Sequence, residues 1–191
     1  LKAENVFPLD PAINYGKLEN GLTYYIRENS TPENKVSMRL YVKTGSIMEE
    51  DHQKGLAHLI EHMAFNGSKN FPKNKIDKFL SSIGLNLGSH YNASASFFKT
   101  TYKFEIPTDD LKNVETTIQI LADIAKNLNL TPEAFERERK IVEEEYRTDI
   151  GSGQKYYDKL SKYIYKNSRL LERQPIGDIE VIRNFKYEDA I

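Results

Sequence analysis

His58 and His62 stand four residues apart, with Glu61 one place before the second, in the pentad His58-Leu59-Ile60-Glu61-His62. On a helix, positions i and i+4 lie one above the other on the same face. Two imidazoles so placed can grip one metal ion. Glu61 then projects beside that ion, where a carboxylate can take a proton from water. This is the minimum equipment of a zinc hydrolase, and it lacks one part. A catalytic zinc takes three protein ligands and keeps one position open.

The third ligand must be His, Asp or Glu, because the chain has no cysteine. Two of the four histidines are already in the pentad, and His52 and His90 read as loop or surface residues. Glutamates crowd the segment from Pro132 to Asp149. With Glu138 set at zero and about 100° per residue, Ala134, Phe135, Ile141, Val142 and Tyr146 fall together as an apolar stripe. Glu138 and Glu145 sit in the middle of it, while Glu136, Glu143 and Glu144 point elsewhere. An ionised carboxylate on a buried face is costly unless a metal or cation compensates it. The pair therefore suggests one ligand and one acid that orients a histidine. Periodicity does not rank Glu138 against Glu145.

The elements that must position these groups can be read along the chain. Asn20-Gly21 signals a turn before a β-forming run, Leu22 to Ile26. Pro32 and Asn34 mark another, and Val36 to Val42 alternates as a half-buried strand should. These two runs are expected to be neighbouring antiparallel strands. A loop from Thr44 to Lys54 leads into the pentad helix, Gly55 to Asn66, with Leu56, Leu59, Ile60 and Met63 on the side opposite the polar triplet and Gly67 as a stop. A helix over 73–83 follows, then a flat strand over 85–96, a strand over 97–106 closed by Pro107, and a helical stripe from Leu111 to Leu128. Thr131-Pro132 reads as an N-cap and first helical residue. Gly151-Ser152-Gly153 is expected to break that helix before a Tyr/Lys-rich one, whose tyrosines (Tyr156 to Tyr165) read as packing residues.

Bulk properties exclude several classes. A net charge of -1 argues against a nucleic-acid or anionic-membrane partner. No apolar run approaches the roughly 18 residues that span a bilayer. A length of 191 residues suits one domain. The chain opens on Leu1 without methionine and stops inside a helix-like pattern, Tyr187 to Ile191. It reads as a single-domain piece of something longer, with a core over about residues 18–150 and a truncated helical continuation over 151–191. A missing leader then says nothing about compartment.

From Leu18 to Thr148 the chain resembles the M16 metallopeptidases, the inverted-zincin family of pitrilysin, insulin-degrading enzyme and the mitochondrial processing peptidases. The resemblance rests on His58 to Gly67, with Met63-Ala64-Phe65-Asn66-Gly67 after the pentad, and on Glu138-Arg139-Lys140-Ile141-Val142-Glu143-Glu144-Glu145. It implies that Glu145 is the distal ligand of one zinc ion and that Glu138 is an acid orienting a histidine. It implies an α+β two-layer sandwich, a mainly antiparallel sheet with helices on one face, shared with LuxS-type lyases. It places a strand near Asn92 and Ala93 beside the metal, where extended peptides pair with its edge. It further implies a zinc-dependent endopeptidase acting on unstructured peptides, with Glu61 as general base. A second homologous M16 half would complete the enclosure, so the isolated chain is expected to bind zinc and cleave poorly. The nearest flavour is a bacterial periplasmic or secreted zinc protease. LuxS-type lyase chemistry also relies on a cysteine, which is absent. A non-catalytic partner subunit is the alternative, but such halves typically lose motif residues and here His58, Glu61, His62 and Glu145 are all present.

Overall fold

The computed structural model describes residues 8–149 and 152–191. By internal contacts the chain divides into two compact units, one ending at Lys35 and one from Val36 to Ile191.

The first unit is a hairpin of β1 (Ile13–Lys17) and β2 (Thr23–Arg27), antiparallel, with Ile13 opposite Arg27 and Lys17 opposite Thr23. Asn20-Gly21 makes the turn as its composition predicts. Gly21 takes a φ of 90°, open to glycine, and Asn20 Oδ1 accepts from the Leu22 N–H at 3.1 Å. Tyr15 and Tyr25 lie opposite one another and stack at 6.0 Å. The expected pairing of Leu22–Ile26 with Val36–Val42 is corrected here: β2 takes β1 as its partner. β1 escaped the sequence reading because three of the five residues in Ile-Asn-Tyr-Gly-Lys, the Asn, Gly and Lys, are poor strand formers.

The second unit carries all but the first residue of β3 (Lys35–Val42), then α1 (Leu56–Met63), α2 (Lys75–Ser82), β4 (Tyr91–Ala95), β5 (Thr100–Pro107), α3 (Leu111–Lys126), α4 (Pro132–Asp149), α5 (Ser152–Ile164) and α6 (Ile179–Arg183). Its sheet runs β3-β5-β4, with β4 antiparallel to β5 and Tyr91 opposite Phe104. Alternation sends Val36, Met38, Leu40 and Val42 of β3, and Tyr102, Phe104 and Ile106 of β5, to one face. There they meet Ile76 and Leu80 of α2 and Ile120 and Ile124 of α3. Phe104, Ile106, Ile76, Leu80 and Ile120 are fully buried, each worth about 1.5–3 kcal/mol by area. The opposite face of the sheet stays open. This is the expected α+β architecture, helices packed on one face of the sheet.

A second core joins α1, α4 and α6 through Leu56, Leu59, Met63, Ala134, Phe135, Val142 and Ile182. Thr131 caps α4 as expected, its Oγ1 accepting from the Ala134 N–H at 3.2 Å. Asp123 of α3 is 1 % exposed and ties down the loop after α1. It accepts from Ser68 Oγ at 2.6 Å, the Asn70 N–H at 2.9 Å and Asn127 Nδ2 at 3.0 Å.

Three boundaries differ from expectation. The strand expected over 85–96 shortens to Tyr91–Ala95, because Gly88 takes a φ of 85° and its N–H closes a turn onto the Tyr91 carbonyl at 2.8 Å. Phe97 and Phe98 fall in the hairpin tip, so β5 starts at Thr100. The expected break narrows as well: Ser152 and Gly153 begin α5, and Gly151 lies outside the described residues.

Candidate metal centre

Helix α1 carries the pentad, and a loop acid fixes its start. Gly55 precedes the helix with a φ of 105°, and an added Cβ there would come within 3.1 Å of Gly177 Cα. No side chain at Gly55 can cap the first turn. The buried Glu49 carboxylate does so from six residues upstream, accepting from the Gly55 N–H at 3.0 Å and the Ala57 N–H at 2.8 Å. Arg173 in turn holds Glu49 by its main-chain carbonyl, Nε to O 2.9 Å, and pairs with Asp51 at 2.8 Å. The C-terminal segment thereby clamps the loop that aims α1.

The helix buries both faces. Leu59 and Met63 are sealed in the α1–α4–α6 core. His58, Glu61 and His62 are covered too, with side-chain exposures of 16, 10 and 17 %. The helix packs against α4 and β4. His58, Glu61 and His62 offer ligand atoms all within 4.8 Å of one another. His58 Nε2 and His62 Nε2 are 3.1 Å apart, and Glu145 Oε2 of α4 lies 3.6 Å from the first and 3.4 Å from the second. A triangle with these sides has a point roughly 2 Å from every corner, the distance zinc keeps from imidazole nitrogen and carboxylate oxygen. The donor set therefore fits a zinc ion. Glu61 Oε2 stands just outside it, 4.0 Å from His58 Nε2.

The other side of His62 faces Glu138. His62 Nδ1 lies 3.7 Å from Glu138 Oε2, an electrostatic contact longer than a good hydrogen bond. Glu138 also accepts from Arg137 Nε at 3.2 Å, and Arg137 Nη2 reaches across to donate to Asn66 Oδ1. The stripe on α4 is thus buried at Phe135, Glu138 and Val142 but opens toward its end, where the Glu145 side chain is 44 % exposed. The sequence pattern set Glu138 and Glu145 alike in the middle of the buried stripe. In the structure they differ, and the more exposed one faces the histidines' Nε2 atoms.

Electrostatics separate the groups. Burial, with the neighbouring His62 charge, pulls His58 down to about 4, so it is neutral and ready to ligate. Burial also pulls on His62, but Glu138, Glu145 and Glu61 outweigh it and raise His62 above its ordinary value. Burial pushes Glu61 up to about 7, helped by Glu145 and opposed by His62. Burial works against ionised Glu138, yet the polar contacts of His62, Asn66 and Arg137 around it hold it below the usual carboxylate range. A carboxyl tuned toward neutrality beside a metal-sized site suits proton transfer. His58 Nδ1 is buried without a hydrogen-bond partner among the described residues.

Asn92 and Ala93 lie on β4, the edge strand against which α1 packs. Asn92 is exposed, and its Oδ1 accepts from the Ala93 N–H at 3.0 Å. His52 and His90 lie apart from the cluster: His52 faces Asp189 at 3.9 Å, and His90 accepts from the Asn86 N–H at 3.2 Å in the turn before β4. Sequence reasoning missed Glu49, Arg173, Asn66 and Tyr102. The Tyr102 hydroxyl is pushed up by burial and by the charge of Glu61 beside it. Only the acid ahead of a glycine-started helix could have been found in advance, since an uncapped first turn needs an acceptor.

The chain matches the family model "Insulinase (Peptidase family M16)" over residues 24–171. It is 36% identical to the probable zinc protease PqqL of Haemophilus influenzae over 183 residues, which is 96% of this chain and 20% of that protein. It therefore spans about a fifth of that relative. The crystal structure of the periplasmic protease PqqL from Escherichia coli superimposes with a TM-score of 0.92 at 30% identity, covering 97% of this chain and 21% of that one. A separate structure of the first half of that protease gives the same score and covers 40% of that chain. A family match over most of the chain, on a fold that sets the pentad beside a distal glutamate, makes this chain a member of the insulinase family, peptidase family M16.

Proposed function

We propose that this chain is the metal-bearing portion of a zinc-dependent endopeptidase acting on extended, unstructured peptides. His58, His62 and Glu145 hold one zinc ion. The observation that carries this reading is the triangle of His58 Nε2, His62 Nε2 and Glu145 Oε2, with sides of 3.1, 3.6 and 3.4 Å. A zinc ion bound there would supply Lewis acidity and lower the pKa of a water toward about 7.

The chain's own residues do the rest. Glu61, in its raised-pKa setting, takes a proton from the attacking water and returns it to the leaving amine. Glu138, on the Nδ1 side of His62, fixes that ring's orientation and keeps its Nε2 lone pair on the metal side. The free edge of β4, with Asn92 and Ala93, takes the substrate as an added strand. Asn92 satisfies the Ala93 N–H while no peptide is there, and yields it when one is. The enclosing partner is a second homologous half, and the compartment is the periplasm or the exterior of a bacterium. The similarity to a periplasmic protease solved both whole and as a first half supports both points.

The test is on the full-length protein. Metal analysis should return one zinc per site of this type. Chelation should abolish hydrolysis of an unstructured peptide, and added zinc should restore it. Full turnover in the metal-free protein overturns the reading.

A further inference from the structure

The face of the sheet that the helices leave open is strongly charged. It presents Arg39 of β3, Lys103 and Glu105 of β5, and Lys99 at the hairpin tip. That is three cations against one acid, on a chain whose net charge is -1. Glu105 is already engaged, by Lys103 at 3.2 Å and by Ser37 Oγ at 2.9 Å. Among the described residues Arg39 has no ion-pair partner, and Lys99 rests over the Tyr41 ring, 4.7 Å from its centroid.

A shallow hollow of about 280 Å³ lies on this face. Its lining contains Arg39, Lys99, Lys103 and, at the β4 edge, Asn92 and Ser94, with no acid. The edge itself is open. The His90 carbonyl accepts from the Glu105 N–H, and the Ser96 N–H donates to the Lys99 carbonyl. By alternation the amide groups of Ala93 and Ala95 therefore point away from β5. A strand added there pairs its residues with Asn92 and Ser94, and paired residues project from the same face. Their side chains then lean over the hollow.

We infer that this open face selects substrate by charge, favouring extended peptides that carry Glu or Asp at the positions paired with Asn92 and Ser94. The inference rests on the peptidase reading above and names its substrate class. Arg39, Lys99 and Lys103 are the residues that determine the preference. They act across solvent, so the preference is screened by salt.

Three quenched-fluorescent peptides test it on the full-length protein. They share one central sequence and differ only in flanking Glu, Gln or Lys. We expect kcat/KM to fall in the order Glu, Gln, Lys. We expect each cation removed to narrow the Glu-to-Lys ratio by about two- to five-fold at low salt. Arg39→Gln narrows it, and either Arg39→Gln with Lys99→Gln or Arg39→Glu narrows it further. Both sites are exposed, so folding is not at stake. Raising salt should shrink the ratio in the wild type more than in the double variant. Equal hydrolysis of all three peptides keeps the peptidase reading and overturns this inference. Binding in the order Glu, Gln, Lys by fluorescence anisotropy, with none of the three cleaved, keeps the inference about the surface and overturns the peptidase reading. A ratio untouched by the Arg39 and Lys99 substitutions overturns the assignment of these residues.

Discussion

Glu138 and Glu145, two turns apart on α4, face opposite nitrogens of the same imidazole. Glu138 Oε2 lies 3.7 Å from His62 Nδ1, and Glu145 Oε2 lies 3.4 Å from His62 Nε2. Seven residues bring a helix back to within about 20° of the same bearing, so both acids meet the ring from one side of α4. The acid on the Nδ1 side is buried and tied to Arg137, while the other is half exposed and shares its oxygen with His58. That asymmetry is the ground for proposing Glu138 as the orienting acid and Glu145 as the ligand, two residues that periodicity alone does not rank.

Removing the two acids should therefore give different losses. Glu145→Gln is expected to lose zinc outright under conditions where the wild type is saturated. Glu138→Gln is expected to weaken zinc by about 10- to 100-fold, the usual cost of an outer partner. Competition against a chromophoric chelator reads both. Equal affinity in wild type and Glu145→Gln would take Glu145 out of the ligand set.

Zinc uptake should be steeply pH-dependent. His62 is raised above its ordinary value by the acids around it, so in the metal-free site it keeps its proton to higher pH than a free imidazole does. Being raised, it stabilises the metal-free fold fully below about 6.5, and that contribution is lost as pH rises through its folded value. Zinc must displace this proton, and Glu61, at about 7, adds to the count. Affinity should fall as pH drops from 8 to 5, with more protons released per zinc at pH 6 than at pH 8. Calorimetry in buffers of differing ionisation enthalpy counts them, and a flat affinity across that range would contradict the assignment.

Glu61→Gln in the full-length protein should separate binding from chemistry. The amide keeps the shape and removes the base. We expect zinc content to stay at the wild-type level while kcat falls by at least about 100-fold. Undiminished turnover would rule out Glu61 as the proton carrier.

Much of the centre could be read from local spacing. His58, Glu61 and His62 lie within one helix, and Glu138 with Glu145 within another, so a 3.6-residue period reveals each group. Long-range supports could not be read this way. Glu49 caps a helix from a loop, and Arg173 reaches Glu49 and Asp51 from more than a hundred residues away. The uncapped first turn after Gly55 asks for an acceptor upstream without naming Glu49, and nothing local marks Arg173. The strand partners failed for a related reason. Alternation in β3 shows which face is buried, but not that its neighbour is β5, which follows the α1, α2 and β4 segments in the chain.

Asp123 should prove to be a structural residue with an acid-side signature. Its carboxylate gathers donors from Ser68, Asn70 and Asn127 and is covered by them, so it pins the loop that leaves α1 to the end of α3. Burial opposes its charge, but these hydrogen bonds outweigh burial and hold its pKa below the ordinary value. A depressed carboxylate contributes stability that is present above about pH 3.9 and lost as pH falls through the folded value. Asp123→Ala leaves several donors unpaired and should cost about 2–4 kcal/mol. For a chain of this size that is a fall in Tm of roughly 5–15 °C. Asp123→Asn should cost less and flatten the loss of stability below pH 4, because an amide cannot titrate. The melts belong in excess chelator, since bound zinc would add stability of its own and mask the difference. A wild-type and an Asp123→Asn protein that lose stability in parallel below pH 4 would show that this carboxylate is not ionised in the fold. The hydrogen bonds from Ser68, Asn70 and Asn127 would then need another account.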